Sequence, residues 1–146
     1  MFSKACMYGI RAVALVASQN TESTRWNLRR IVAETGAPEA FMAKVLQQLV
    51  HAEILVSVKG PGGGFEMDPA RRGALKLGDV VQAIDGDSLF SGCALGFPKC
   101  DARRPCPIHD PVMQVRERLQ KVLASTRIED LGSELDHGAA FLKAKL

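Results

Sequence analysis

The chain of 146 residues has no apolar run of the length a bilayer demands, no C-x-x-C pair, no internal repeat, and no glycine-rich loop ending in Lys-Ser or Lys-Thr. A membrane-spanning helix needs about 20 apolar residues, so the first absence excludes one. The missing cysteine pair and phosphate loop remove the usual signatures of a dithiol redox enzyme and of a nucleotide-binding site. There is also no dinucleotide fingerprint and no convincing nucleophile with a base, so nothing in the chain points to catalysis. The stretch from Ala5 to Ala17 follows Lys4 and imitates a secretion leader, but Arg11 interrupts it after six residues. An amphipathic helix is the better reading.

What is present suits one globular unit. Hydrophobic residues make up 47% of the chain and charged residues 24%, and the length is enough for one core but short for two independent domains. The formal charge is +3, and it is uneven: residues 1–72 carry nine Lys and Arg against six Asp and Glu, whereas residues 73–146 carry ten of each. Excess positive charge in the first half suits a polyanionic partner, because nucleic-acid binding draws affinity from counterion release. Charge alone fits a solvated surface better. With the N-terminal run read as an amphipathic helix, the four cysteines are expected in a reducing cytoplasm, where grouped thiols bind metals or do redox chemistry more often than they form disulfides.

Three of those cysteines fall within GCALGFPKCDARRPCPIH, residues 92–109, in the spacing C-x6-C-x5-C, with His109 three residues after the last. Pro98, Pro105 and Pro107 forbid a continuous helix or strand there, so the segment can bend its thiols toward one centre. Thiolates suit iron-sulfur clusters, zinc or copper(I), and imidazole suits several of the same metals. Lys99, Arg103 and Arg104 crowd the thiols with positive charge, which favours thiolate.

In chain order, apolar periodicity predicts a helix over 4–18 and, after the polar break SQNTESTR, a short helix capped by Asn27 and stopped by Gly36. Pro38 suits the first turn of a third helix to Ala52, with Phe41, Met42, Val45, Leu46, Leu49 and Val50 on a broad buried face. Ala43, Lys44, Gln47, Gln48 and His51 are left outside. Leu55 to Lys59 then alternates as a strand, Gly60 to Gly64 reads as a turn around Pro61, and Phe65 to Met67 returns as a second strand. A helix-turn-helix followed by a glycine-tipped hairpin is the plan of a winged helix, whose second helix enters the major groove. The bare backbone of Gly60, Gly62 and Gly63 can approach a phosphate, and Lys59 adds charge. Arg29 and Glu39, with Ala43, Lys44, Gln47, Gln48 and the tip from Lys59 to Gly63, are the candidate DNA contacts. Residues 69–73 read as a basic linker, 77–84 as a helix stopped by Gly86, and 132–146 as a helical tail. Ile108, Val112, Val115, Leu119 and Val122 recur in a heptad rhythm, and a two-fold copy of the chain is the economical partner for such a seam. The alternative is packing on the chain's own first helix.

The order YGIRAVALVA, helix-turn-helix, LVSVKGPGGGF, LGDVVQAIDG, three cysteines and a closing RIEDL resembles the Rrf2 family of bacterial transcription regulators over nearly the whole chain. That resemblance implies a mainly α protein: a winged helix-turn-helix head over residues 1–72, then the cysteine loop and a long dimerisation helix over 73–146, forming one compact unit. It implies a homodimer bound to double-stranded DNA at a palindromic operator. It also implies an iron-sulfur cluster, 2Fe-2S or 4Fe-4S, that senses redox state, iron or nitric oxide. Cys93, Cys100 and Cys106 occupy the ligand positions of the family, and His109 stands where some members have their fourth ligand. Other members use an acidic residue from the partner subunit; this chain has Met7 there, a poorer donor to iron, and Cys6 beside it could take that fourth place instead of His109. Ala43 replaces a glutamate by which an iron-sulfur biogenesis regulator of the family discriminates between bases. A zinc-bound or cluster-free thiol-redox regulator is the rival of the same class, and an iron-sulfur electron carrier or redox enzyme the rival of another.

Overall fold

Apolar spacing and capping set the helices, and the computed structural model describes residues 1–18, 25–136 and 142. Helix α1 spans Lys4–Ser18 and buries Ala12 through Ala17. Ser3 begins it, its hydroxyl accepting from the Cys6 amide at 3.0 Å. Helix α2, Leu28–Thr35, is capped by Asn27, whose side chain accepts from the Arg30 amide at 2.9 Å. It ends at Gly36 in the left-handed region, φ 69°, which glycine adopts without steric cost. Helix α3, Glu39–His51, starts one residue later than the sequence predicts, because Pro38 is its extended N-cap and not part of its first turn.

Strands β1, Val56–Val58, and β2, Gly64–Glu66, are shorter than the alternation suggests and pair antiparallel, Val56 with Glu66 and Val58 with Gly64. A third, one-residue strand lies against β2: Trp26 donates to the Phe65 carbonyl at 3.2 Å and accepts from its amide at 2.8 Å. Gly64 is essential to that contact, since a Cβ there would stand 2.8 Å from the Trp26 carbonyl oxygen, at φ +147°. Residues 69–73 are not a linker. Asp68 caps a single helical turn, α4, Pro69–Arg72, with Pro69 in the first position that proline tolerates.

Helix α5, Leu77–Asp85, ends at Gly86 as predicted. A short α6, Ser88–Ser91, leads into the cysteine loop, and α7 runs from His109 to Ser125. The chain then returns to the head: Leu77 donates to Thr126 at 2.9 Å and Ile128 to Leu75 at 3.1 Å. The last described helix, α8, is Ile128–Asp136, so it begins before the predicted tail; residues 137–141 and 143–146 of that tail lie outside the described residues. Helix α1 is the centre of the packing, touching α3, α5 and α8. Val13, Ile31, Met42, Leu46, Leu49, Val80 and Ile128 are sealed in one cluster, each such large apolar side chain contributing about 2 kcal/mol by leaving water. Gly132 lets α8 cross α1 closely, for a Cβ there would lie 2.5 Å from the Ala17 carbonyl carbon. Phe41, predicted in the buried row of α3, is exposed and meets the Tyr8 ring edge-on at 5.9 Å.

Candidate functional site

Two surfaces bring candidate residues together, and the first is the outer side of α3 with the wing. Glu39, Lys44, Gln47 and Gln48 are exposed and Ala43 is partly so, as is required of residues that contact a partner. Arg29 on α2 and the wing tip from Lys59 to Gly62 are exposed as well. A groove of about 460 Å³ lies beside α3, where Ala43, Gln47, Val50 and His51 face Leu28, Ser57 and Phe65. The glycines of the tip divide into two kinds. Gly60 and Gly62 have open space around them, whereas a Cβ on Gly63 would lie 2.3 Å from the Val58 carbonyl oxygen. Gly63 therefore serves the hairpin turn.

Sequence patterns missed Arg25 and Trp26, which anchor this surface. Arg25 pairs with Glu66 at 2.7 Å, and the Arg30 guanidinium stacks 3.8 Å above the Trp26 ring. The signal was available in the single tryptophan of the chain, placed directly before the Asn27 cap.

The second surface is the cysteine loop. Cys93, Cys100, Cys106 and His109 line one pocket of about 400 Å³, together with Phe97, Lys99 and Arg104. On their inner side the same four residues face Val112, Met113 and Arg116, so the loop folds over the first turns of α7. All three thiols are free. His109 is the first residue of α7, and its Nδ1 lies 3.3 Å from the Cys100 sulfur. The Cys93 thiol is held below the usual thiol range by the backbone amides of Leu95 and Phe97, against a loss of hydration, with smaller help from Cys106 and Gly96. That cause differs from the expected one, for it is the local backbone and not Lys99, Arg103 or Arg104 that lowers Cys93. Amide groups aimed at a sulfur stabilise thiolate by hydrogen bonding to the charged form. Among the described residues, no three His, Cys, Asp or Glu side chains stand together closely enough to hold a single metal ion.

Cys6 lies elsewhere. It is fully buried with Val81 and Leu123, and burial, then the Asp85 charge and hydrogen bond, push its thiol up to about 12. A neutral, sealed thiol is a poor ligand for a neighbouring subunit. Met7, one residue on, is exposed.

The heptad seam on α7 splits into two rows. Ile108, Val115 and Val122 are 38%, 65% and 54% exposed, whereas Val112 is half-buried and Leu119 packs beside Cys6, Val81 and Leu123. The seam's outer row therefore does not pack on the chain's own first helix, and α7 rests on α5.

The head, with its two-helix reader, hairpin wing and exposed polar helix face, defines a helix-turn-helix DNA-binding protein of the winged type. The chain belongs to the Rrf2 family, whose sequence profile, described as an iron-dependent transcriptional regulator, matches residues 2–134. It is thus a transcriptional regulator and not an enzyme. A protein of Aquifex aeolicus (strain VF5) assigned as an HTH-type transcriptional regulator is 27% identical over 135 residues, covering 90% of each chain. Among solved structures, CymR, the global cysteine regulator of B. subtilis, superposes with a TM-score of 0.74 at 20% identity, covering 91% of this chain and 96% of its own. IscR of T. potens superposes with a TM-score of 0.70 at 18% identity, covering 96% and 91%. These likenesses establish the mainly α winged-helix fold.

Proposed function

We propose that the chain works in the cytoplasm as a homodimer on a palindromic operator, with an affinity set by an iron-sulfur cluster held by Cys93, Cys100, Cys106 and His109. One observation carries this reading: three thiols and an imidazole line one pocket. The donor types fit such a cluster, and the description of the family as iron-dependent supports iron. Cys93, Cys100, Cys106 and His109 would hold the cluster, which would supply a redox-active, labile centre there.

What the chain itself does follows from where the donors are rooted. Cys93 stands two residues after α6, and His109 opens α7. Drawing them together fixes α7 relative to α5 and hence relative to the head. In the dimer, with the outer row of α7 meeting its copy, the spacing of two α3 helices changes with the loop. Half-sites on a duplex lie about 34 Å apart, so small shifts weaken both contacts. The ligand acts through its preference for one arrangement. Residues 1–72 serve as the reader and 73–146 as sensor and dimer helix.

A cluster-free thiol regulator is the second reading, favoured by the three free thiols lining one pocket. Anaerobic purification, an absorption spectrum, and iron, sulfide and zinc analysis separate the two. Iron and sulfide in equal amounts, with visible colour, are expected, together with a gel shift on the protein's own promoter that changes when iron is removed. Colourless protein whose promoter binding ignores iron rules out the cluster.

A further inference from the structure

The wing is a short device with little to hold it. Three residue pairs join β1 to β2, and an isolated two-stranded hairpin is marginally stable in water. Trp26 adds one bridge at the inner edge of β2. The tip itself, residues 60–63, is closed by Gly63 donating to Gly60 at 2.9 Å, and both Gly60 and Gly62 sit at positive φ. Glycine-rich backbone of this kind has many conformations to choose from.

Arg25 reaches across this gap. Its Nε donates to the Glu66 carboxylate at 2.7 Å, and its Nη1 approaches the Gly62 carbonyl oxygen at 3.4 Å. One guanidinium therefore ties the second strand and the tip to the segment that leads into α2. We infer that Arg25 is a positioning residue of the DNA reader, setting the height at which the wing presents Lys59 to the duplex. It acts through Glu66 and Gly62 and not by touching phosphate, because its charge is already committed to Glu66. Part-exposed planar guanidinium–carboxylate pairs of this kind have modest strength, but here the geometry of a flexible tip depends on one.

The sign of the Glu66 effect separates a brace from a bystander. Removing a carboxylate from a surface that faces a polyanion ordinarily tightens binding. If Glu66 works by holding Arg25, its loss weakens binding instead. This rests on the DNA-binding reading above, and the variants are chosen to keep the two apart. The full-length protein as isolated anaerobically is titrated with a fluorescent duplex carrying the operator from its own promoter. Arg25→Gln and Glu66→Gln are each expected to weaken binding roughly fivefold, and the double variant no further, since both remove the same tie. Exchanging the charges, Arg25→Glu with Glu66→Arg, restores binding toward the parent, which a general folding defect does not allow. In a Lys59→Ala background, Glu66→Gln no longer weakens binding. If Lys59→Ala weakens binding while Glu66→Gln tightens it, or if the two single effects add, the brace is wrong and the wing contact stands. Should Lys59→Ala bind like the parent, the wing does not touch the duplex and both ideas fall.

Discussion

In the head, Ile31, Met42, Leu46 and Leu49 are sealed together with Ile128 from the far end of the described chain. Between Ser88 and Ile108 no residue is fully buried. The two regions are thus held by different forces: the head by apolar burial, which is non-directional and cooperative, and the loop by local hydrogen bonds such as Gly96 donating to the Cys93 carbonyl and His109 to the Cys106 carbonyl, both at 3.0 Å. A segment with few buried apolar contacts opens at low cost. Under the proposed reading, a bound group would set the arrangement of the loop while the helices of the head stay packed.

The largest effect expected of that contrast is loss of iron without loss of fold. Cys93→Ala, Cys100→Ala and Cys106→Ala should each drop bound iron to background by elemental analysis, while the unfolding of the head monitored by circular dichroism stays two-state. Retention of full iron by any of them breaks the ligand assignment. Next comes the outer row of α7. Val115→Glu places like charges against each other in a two-fold seam and should weaken self-association about 100-fold or more, seen by sedimentation as a monomer that is still folded, because Leu123 and Ile128 remain buried.

Within the head, packing predicts a smaller but sharp cost. Gly132→Val forces a side chain against the Ala17 backbone, which cannot give way as a side-chain tip could, and should destabilise the fold by about 2–3 kcal/mol in urea. The same substitution at Gly96 in the loop meets open space, yet its φ of +76° disfavours a side chain, so its effect should appear in iron binding and leave the head's stability alone.

The smallest effect concerns Cys6. Burial pushes its thiol up to about 12 from 9.0, so the folded state keeps the proton that the unfolded chain releases. The resulting stability is complete below about pH 9 and is lost as pH rises toward the folded value. The parent should therefore lose about 1 kcal/mol more than Cys6→Ala between about pH 9 and 10. Equal slopes would mean that Cys6 ionises as freely in the fold as outside it.

Much of this was legible from residue order. Helices α1, α2 and α5 announced themselves through period and caps, Asn27 and Gly36 doing for α2 what their types are suited to do. The clustering of Cys93, Cys100 and Cys106 with His109 was visible as spacing, and they do line one pocket. Trp26 as a third strand was not legible, since a strand one residue long has no period. Nor was α4, whose four residues are too few to show a helical pattern. The apolar row of α3 misplaced Phe41, because periodicity says which residues share a face but not how far the neighbouring helix extends over it.

The residue sequence by itself determined where the chain turns and which faces are apolar, because capping, φ restrictions and side-chain period act over a few neighbours. Only the tertiary structure decided that Cys6 is sealed while the loop thiols are reachable, that Gly132 is a crossing point, and that Arg25 meets Glu66. Those outcomes depend on residues dozens of positions apart, whose proximity is set by how the helices bury one another and not by anything either residue carries alone.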